Sequence, residues 1–169
     1  MATDLTDLAG RIYLDVSMTA QKALDLSTPQ DTLQYRPSLE YTFGDDPDVA
    51  GEADQIFHDQ FTIAASASET INLSTCLNPF GTATGFDDIK AVIIRNVSDD
   101  AQIIIGTGTW IAWFNDASDA ELLDAGGMCV HASPKAIAAV GSGHTLVITN
   151  ADGVNAATVN VIIIGTVDA

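Results

Sequence analysis

Short runs of alternating apolar and polar residues recur from residue 53 onward, at intervals of roughly 8 to 14 residues, the spacing of strands in antiparallel sandwiches. Turn-forming residues separate the runs, and no strong amphipathic helix lies between them. The run 158–166 is the most apolar. The pattern predicts an all-β fold, an antiparallel jelly-roll-like β-sandwich of about eight strands.

The separate runs give approximate strand positions. The expected strands are 54–64, 69–74, 89–97, 101–106, 110–114, 128–131, 145–149 and the final run. Asp99 and Asp100 are the turn residues between two of these runs, which predicts a β-hairpin at that point.

The first 52 residues differ from the rest of the chain. Turn-forming prolines and the acidic stretch 44–48 interrupt them, and extended pieces are expected at 11–17 and 33–43. Residues 18–26 could form a short helix, although their helical periodicity is weak. We predict that residues 1–52 form an N-terminal extended arm or accessory strands and that residues 53–169 form the sandwich domain.

Composition restricts the choice of partners. A chain of 169 residues suits one domain with a full core, or one domain with an arm. The formal net charge of −17 opposes binding to phosphate backbones and to anionic lipid surfaces. No segment approaches the roughly 18 to 20 apolar residues of a membrane span, and the N-terminus lacks the pattern of a secretory signal. The expected partner is therefore a protein surface with basic patches, not nucleic acid and not a membrane.

Cysteines and histidines give no clear metal motif. The two cysteines, Cys76 and Cys129, are too few for a disulfide framework, and free thiols are favoured. No two of the three histidines have metal-ligand spacing. Cys129 and His131 would share one face of a strand, where packing or hydrogen bonding is favoured over a metal site. We therefore expect no metal and no cofactor.

Catalytic motifs are equally weak. The segment 141–144 (Gly-Ser-Gly-His) is better interpreted as a turn than as a nucleophile elbow. Acidic groups at 45–48, 99–100 and 116–121 match no EF-hand and give no assignable glycosidase pair, although a loose calcium site in one of these loops stays open. No catalytic residue is assigned, and the protein is expected not to be an enzyme.

The densest aromatic group contains Trp110, Trp113 and Phe114. Strand alternation places Trp110 and Trp113 on opposite faces. One of them could then be exposed, as aromatic residues at protein interfaces often are. Burial of both between two sheets fits the pattern equally well.

Three segments resemble decoration, or cement, proteins of tailed-bacteriophage capsids. They are 53–73, 88–96 (DIKAVIIRN) and 143–165, within a similarity that covers roughly residues 24–166. The resemblance implies a jelly-roll protein of the virion that binds the outside of the major-capsid lattice and clamps neighbouring capsomers. It also implies major capsid protein as the partner, a homo-oligomer (dimer or trimer), and synthesis in the host cytoplasm.

Interface residues follow from this interpretation. Tyr35, Tyr41 and Phe43 are candidate anchors of the arm, and Trp110 and Trp113 are further candidates. The alternative function is a head-fibre, tail or receptor-binding jelly roll that recognises a host surface glycan, which the exposed-tryptophan possibility motivates.

Overall fold

The computed structural model describes residues 10–15, 18–22, 31–35, 38–43, 53–81, 85–106, 108–109, 119–133 and 135–167. Within these ranges every regular element is a β-strand. No helix among them is long and apolar enough to cross a bilayer.

Thirteen strands are present in the described ranges. The first four are β1 (Gly10–Asp15), β2 (Met18–Lys22), β3 (Asp31–Tyr35) and β4 (Ser38–Phe43). The next four are β5 (Gln55–Ile63), β6 (Ser68–Asn72), β7 (Asp88–Asn96) and β8 (Ile103–Gly106). The remainder are β9 (Ala120–Leu123), β10 (Met128–Ala132), β11 (Ala138–Ala139), β12 (Thr145–Asn150) and β13 (Ala157–Thr166).

Eight of these strands form two antiparallel four-stranded sheets. The first sheet has the order β10-β7-β13-β5, with the short β11 also paired to β7. The second sheet has the order β6-β12-β8-β9. The prediction of an all-β antiparallel sandwich of about eight strands is confirmed.

Pairing within the sandwich is nested along the chain. If β11 is set aside, the first strand pairs with the last (β5 with β13) and the second with the second-last (β6 with β12). The third pairs with the third-last (β7 with β10), and the two middle strands (β8 and β9) pair with each other. The eight strands therefore pair as one long hairpin that has been folded over on itself.

The core lies between the inner faces of the two sheets. Val159, Val161 and Ile163 alternate along β13 and are fully buried, with Ile105 and Ile148 of the second sheet in the same cluster. Strand alternation places one side of each strand in this core. Each such side chain contributes about 1.5–3 kcal/mol through removal of apolar surface from water.

The predicted hairpin at Asp99 and Asp100 is wrong. These two exposed residues connect β7 of the first sheet to β8 of the second, and the two strands are not partners. Two residues between β-runs are the usual hairpin signal. Here the side chain of Asn96, at the end of β7, stabilises a crossover between the sheets instead.

Asn96 is fully buried and anchors this crossover. Its Oδ1 accepts a hydrogen bond from the backbone N–H of Ser98 at 3.1 Å. Its amide nitrogen lies within hydrogen-bonding distance of three backbone oxygens, those of Ala101 (2.7 Å), Leu123 (3.2 Å) and Asp124 (3.1 Å). One side chain thus fixes both the crossover and the end of β9.

Asn150 plays the same part at the second crossover, from β12 to β13. Its Oδ1 accepts from the backbone N–H of Asp152 at 2.9 Å. Its amide nitrogen lies near the backbone oxygens of Asn155 (2.8 Å), Ile63 (3.1 Å) and Ala64 (3.1 Å). The two asparagines make the same pattern of contacts. Each contacts the backbone oxygen of the residue five positions later in the chain, and the oxygens of two consecutive residues at the end of a distant strand.

The turns that follow these two strand ends also have matching hydrogen bonds. In the turn from β5 to β6, the N–H of Ala67 donates to the Ala64 oxygen at 3.0 Å, and in the turn from β9 to β10 that of Gly127 donates to Asp124 at 2.9 Å. Both turns connect the edge strands of the two sheets, at opposite edges of the sandwich. The two edges therefore have similar backbone hydrogen bonding and can be compared residue by residue. A residue at the first edge corresponds to the residue at the second edge whose number is 60 higher.

The four N-terminal strands form two antiparallel two-stranded sheets, which together are called the N-terminal ribbon. β1 pairs with β4 and β2 pairs with β3, and in every pair of both ladders the two residue numbers add to 53. The two ladders thus have the register of a single long hairpin. The predicted helix over residues 18–26 is wrong in its first five residues, because pairing with β3 makes them a strand. The boundary predicted at residue 52 lies outside the described residues, so the division into arm and sandwich stays a prediction.

Candidate functional site

The outer face of the first sheet carries side chains in rows that cross its four strands. The apolar row is Ile56, Ile164, Ala91 and Ala132. The central row is His58, Ile162, Ile93 and Val130. The polar row is Gln60, Asn160, Arg95 and Met128. The face therefore changes from apolar to polar along the strand direction.

These rows differ in exposure. Ala91 and Ile164 of the apolar row are 0% and 8% exposed, and they form a second buried cluster with Ala53. Ile93 and Ile162 of the central row are half-buried, whereas Val130 is 40% exposed. The central row, together with the neighbouring Met128, which is 54% exposed, is thus the apolar part of this face that a partner could contact.

The outer face of the second sheet is different. Half-buried and exposed hydroxyl residues share it with apolar ones; the hydroxyl residues are Ser68, Thr70, Thr145 and Thr149, and the apolar ones are Ile104, Val147 and Leu122. The hydroxyls of Ser68 and Thr149 lie 2.8 Å apart across two strands, a pairing typical of a solvated sheet surface. Leu122, 57% exposed on the edge strand β9, is the most exposed large apolar residue described on this face.

The apolar rows were not identified from the sequence, although a signal for them exists. Residues 162–164 and 91–94 are unbroken apolar runs in which alternation disappears. Strands with apolar residues on both faces produce such runs. The sequence alone does not show which half of these runs faces outward, because both halves are apolar.

The predicted interface residues fall into two groups. Tyr35 ends β3 opposite Met18, and Tyr41 and Phe43 lie on β4 opposite Ile12 and Gly10. All three therefore belong to the N-terminal ribbon. Trp110 and Trp113 lie outside the described residues.

The segment 141–144 forms the turn before β12. The N–H of Gly141 donates to His144 Nδ1 at 2.9 Å, and the His144 N–H donates to the Gly141 oxygen at 3.1 Å. The His144 imidazole therefore stabilises the turn in which it lies, and Ser142 is exposed. This arrangement agrees with the interpretation of the segment as a turn.

One group of three potential metal ligands converges within the described ranges: Glu121, Cys129 and His131. Their ligand atoms all lie within 4.8 Å of one another, and Glu121 Oε2 is 3.1 Å from His131 Nε2. Cys129 and His131 point inward from β10, and Glu121 points inward from β9. Burial, followed by repulsion from the Glu121 carboxylate, raises the pKa of the Cys129 thiol to about 12.

The sequence placed Cys129 and His131 on one strand face but missed Glu121. No local spacing connects Glu121 to them, because β9 and β10 belong to different sheets. The turn 124–127 that brings the strands together contains two glycines, which was the only local hint.

The equivalent edge, between β5 and β6, holds an open groove of about 230 Å³. Phe57, Phe61 and Ile71 contribute apolar lining, and Cys76 lies at the same groove. Burial raises the pKa of the Cys76 thiol to about 11, and both cysteines are free thiols. The two edges of the sandwich therefore differ in chemistry despite their similar backbones.

Comparison with protein-family models, with curated proteins and with solved structures finds no match to this chain. Any function must consequently be argued from its own residues.

Proposed function

We propose that this protein is a capsid decoration (cement) protein, which binds the outside of a major-capsid lattice and clamps neighbouring capsomers. The observation that carries the proposal is the half-exposed apolar central row on the outer face of the first sheet. An exposed apolar strip bordered by polar side chains is typical of a protein–protein interaction surface.

The strand order supports the finer assignment of the fold as a jelly roll. Nested pairing of first with last, second with second-last and so on is what a folded-over hairpin of eight strands gives, and a jelly roll is such a double sheet. A sandwich of this kind offers two broad, rigid sheet faces. One of them would face the capsid lattice and the other would face solvent.

The contrast between the two outer faces supports this orientation. The first sheet places Ile93, Ile162 and Val130 next to one another in its central row, whereas the apolar residues of the second face (Ile104, Val147 and Leu122) are interspersed with hydroxyl residues. Hydroxyls can satisfy their hydrogen bonds in water, while apolar side chains gain from leaving it. The first sheet is therefore the better candidate for the face that meets the lattice.

Charge contributes to partner choice. With 23 acidic and six basic residues, the chain would be attracted to a capsid surface with basic patches and repelled by other free copies. Binding to the assembled lattice but not to free subunits would stabilise the shell by mass action. Many copies on one particle make individually weak contacts effective.

The N-terminal ribbon is the proposed arm. Its two ladders contain six and five residue pairs, enough for roughly 35 Å of strand at ~3.4 Å per residue. Among the described strands, these four form ladders only with one another. A two-stranded ribbon is marginally stable alone in water. Docking on a neighbouring capsomer, or on a second copy in a dimer or trimer, would supply the missing contacts, with Tyr35, Tyr41 and Phe43 as candidate anchors.

The first test is cryo-electron microscopy of particles purified from the source. Density for this chain in hundreds of copies on the outside of the capsid lattice is the expected result. Density only at a vertex or on the tail would contradict the clamp and favour recognition of a host glycan. Complete absence of the chain from particles would reject a virion role.

The second test uses a matched pair of variants. Val130→Lys places a charge on the central row, and Leu122→Lys places the same charge on the edge strand of the opposite sheet, so the net charge of the two proteins is equal. We expect V130K to lose at least about tenfold in affinity for particles stripped of the protein, as interface hot spots do. L122K should bind like the unmodified chain. Equal binding of V130K and unmodified protein would exclude this face as the contact.

A further inference from the structure

We propose that Glu121, Cys129 and His131 form a zinc-binding site that ties the edge of one sheet to the edge of the other. The three ligands come from two strands in two sheets, and the site is independent of the function proposed above.

The distances suit a tetrahedral ion. With zinc bonds of about 2.0 Å to nitrogen and oxygen and about 2.3 Å to sulfur, tetrahedral ligand atoms lie about 3.3 to 3.6 Å apart. Glu121 Oε2 and His131 Nε2 are 3.1 Å apart, and no pair within the group exceeds 4.8 Å. Side-chain adjustments of about an ångström would therefore complete the coordination.

The backbone around the group is already fixed. Cys129 and His131 are two residues apart on β10 and pair with Ile94 and Val92 of the first sheet. Glu121 pairs with Ile105 of the second sheet. The turn that joins β9 to β10 is anchored by the buried Asn96, whose amide nitrogen lies near the Leu123 and Asp124 oxygens. Ligands held on rigid strands in this way lose little freedom when a metal binds.

The opposite edge shows what an ordinary closure of the sandwich looks like. The positions equivalent to Glu121 and His131 are Phe61 and Ile71, which pack apolar surface between the sheets. At the edge with Glu121, a carboxylate and an imidazole replace these two apolar side chains, and Cys129 lies where the opposite edge has the half-buried Glu69. Hydrogen bonding of the half-exposed Glu121 and His131 accounts for two of these groups. The Cys129 thiol packs beside them at the margin of the hydrophobic core, where it completes a set of three convergent donors.

The donor set indicates which ion would bind. Thiolate and imidazole together select zinc among the common biological divalent ions, whereas calcium and magnesium require oxygen ligands. Three protein ligands leave a fourth position for water, and the side chains of Glu121 and His131 are each 32% exposed, which gives that position access to solvent. Binding would displace the thiol proton from Cys129.

The chain offers a matched control, because it has a second partly buried free thiol. Cys76 lies at the opposite edge and belongs to no group of three potential ligands within the described residues. We therefore compare the full-length protein with its C129S and C76S variants. Glu121→Gln provides a third variant, which keeps the size of a half-exposed side chain and is expected to fold.

The experiment titrates the metal-free protein with Zn²⁺ by calorimetry and with Co²⁺ by absorption spectroscopy. We expect one equivalent of metal to bind, a thiolate-to-cobalt charge-transfer band, and a rise in melting temperature with Zn²⁺. C76S should keep all three. C129S should lose the band, and E121Q should bind at least about 10-fold more weakly, the lower limit for changes in the outer shell of zinc sites.

Three outcomes would overturn the proposal. They are the absence of the charge-transfer band in the unmodified protein, its persistence in C129S, and its loss in C76S. The band reports a sulfur ligand directly. A merely structural effect of either substitution would not produce the expected difference between the two cysteine variants.

Discussion

Replacement of Asn96 by alanine tests whether the crossovers between the sheets depend on a single buried amide. Asn96 is 0% exposed, and its side chain contacts the backbone at the end of β9 and within its own crossover. The substitution removes these contacts and leaves the backbone groups in place. An asparagine NH₂ group has two hydrogens, so it donates two hydrogen bonds at full strength. One of these hydrogens is shared between two of the three backbone oxygens.

The expected cost can be estimated from the burial of these contacts. The contacts to Ala101 and Leu123 are fully buried, whereas those with Asp124 and Ser98 are only partly buried. A buried polar group left without a partner costs about 1–3 kcal/mol. Two such groups give a predicted loss of about 2–6 kcal/mol, with the partly buried groups regaining bonds to water. Since small domains are stable by about 5–15 kcal/mol, N96A should be strongly destabilised.

Urea unfolding followed by tryptophan fluorescence and circular dichroism measures the loss. Asn160→Ala is the control, because Asn160 lies on the outer sheet face and its one hydrogen bond, with Gln60, is exposed. It should change stability by less than about 0.5 kcal/mol. The denaturant slope should stay the same in all variants, since a changed slope would report a change in the surface exposed on unfolding.

Asn150→Ala extends the test to the second crossover. Of the three contacts of its amide nitrogen, only that to the Ile63 oxygen is fully buried, so N150A should cost about 1–3 kcal/mol, less than N96A. A loss for N96A within about 1 kcal/mol of the N160A value would refute the reasoning. So would a larger loss for N150A than for N96A, because the number of fully buried contacts would then not set the cost.

Two further predictions concern the turn before β6 and the partly buried thiol. Ser66 has a φ of 58°, whereas Gly126 has a φ of 75° at the equivalent position. Because the left-handed region favours glycine, S66G should stabilise the protein by about 0.5–1 kcal/mol and G126S should destabilise it by a similar amount in thermal unfolding. Effects of the same sign would contradict this equivalence. In the C129S variant, alkylation of Cys76 by iodoacetamide should stay slow at pH 8 and accelerate only as the pH approaches 11, because burial keeps the folded thiol protonated. The raised pKa contributes stability that is full below about pH 9, the ordinary value of a thiol, and that is lost as the pH rises through about 11. Rapid alkylation at pH 8 by folded protein would show that the thiol is not protected.

Local pattern predicted seven of the eight sandwich strands, but it missed β9 and predicted the strand partners poorly. The predicted strand 110–114 lies outside the described residues. The predicted strand 54–64 is β5 (Gln55–Ile63), and the predicted strand 89–97 is β7 (Asp88–Asn96). Alternation depends on the residues themselves, so it can be read directly. Partner choice depends on residues far along the chain, which is why the turn at Asp99 and Asp100 was mistaken for a hairpin.

The same distinction explains the candidate sites. Cys129 and His131 share a strand, so their common face was predictable, whereas Glu121 reaches them only through the folding of two sheets. The outward half of the apolar run 162–164 was invisible for another reason. An apolar residue has the same pattern whether it faces the core or a partner, and only the register of the sheet separates the two.

The nested strand pairing has a consequence for synthesis of the protein. Gln55 of β5 pairs with Gly165 of β13, so 110 residues of chain separate them. At about 5–20 residues per second, a ribosome needs roughly 5 to 20 s to make that interval. During this time β5 and β7 lack the strand that lies between them, and their apolar edges stay open to other nascent chains. The surplus of acidic residues would then act before the fold exists, by keeping unfinished copies apart on the same messenger.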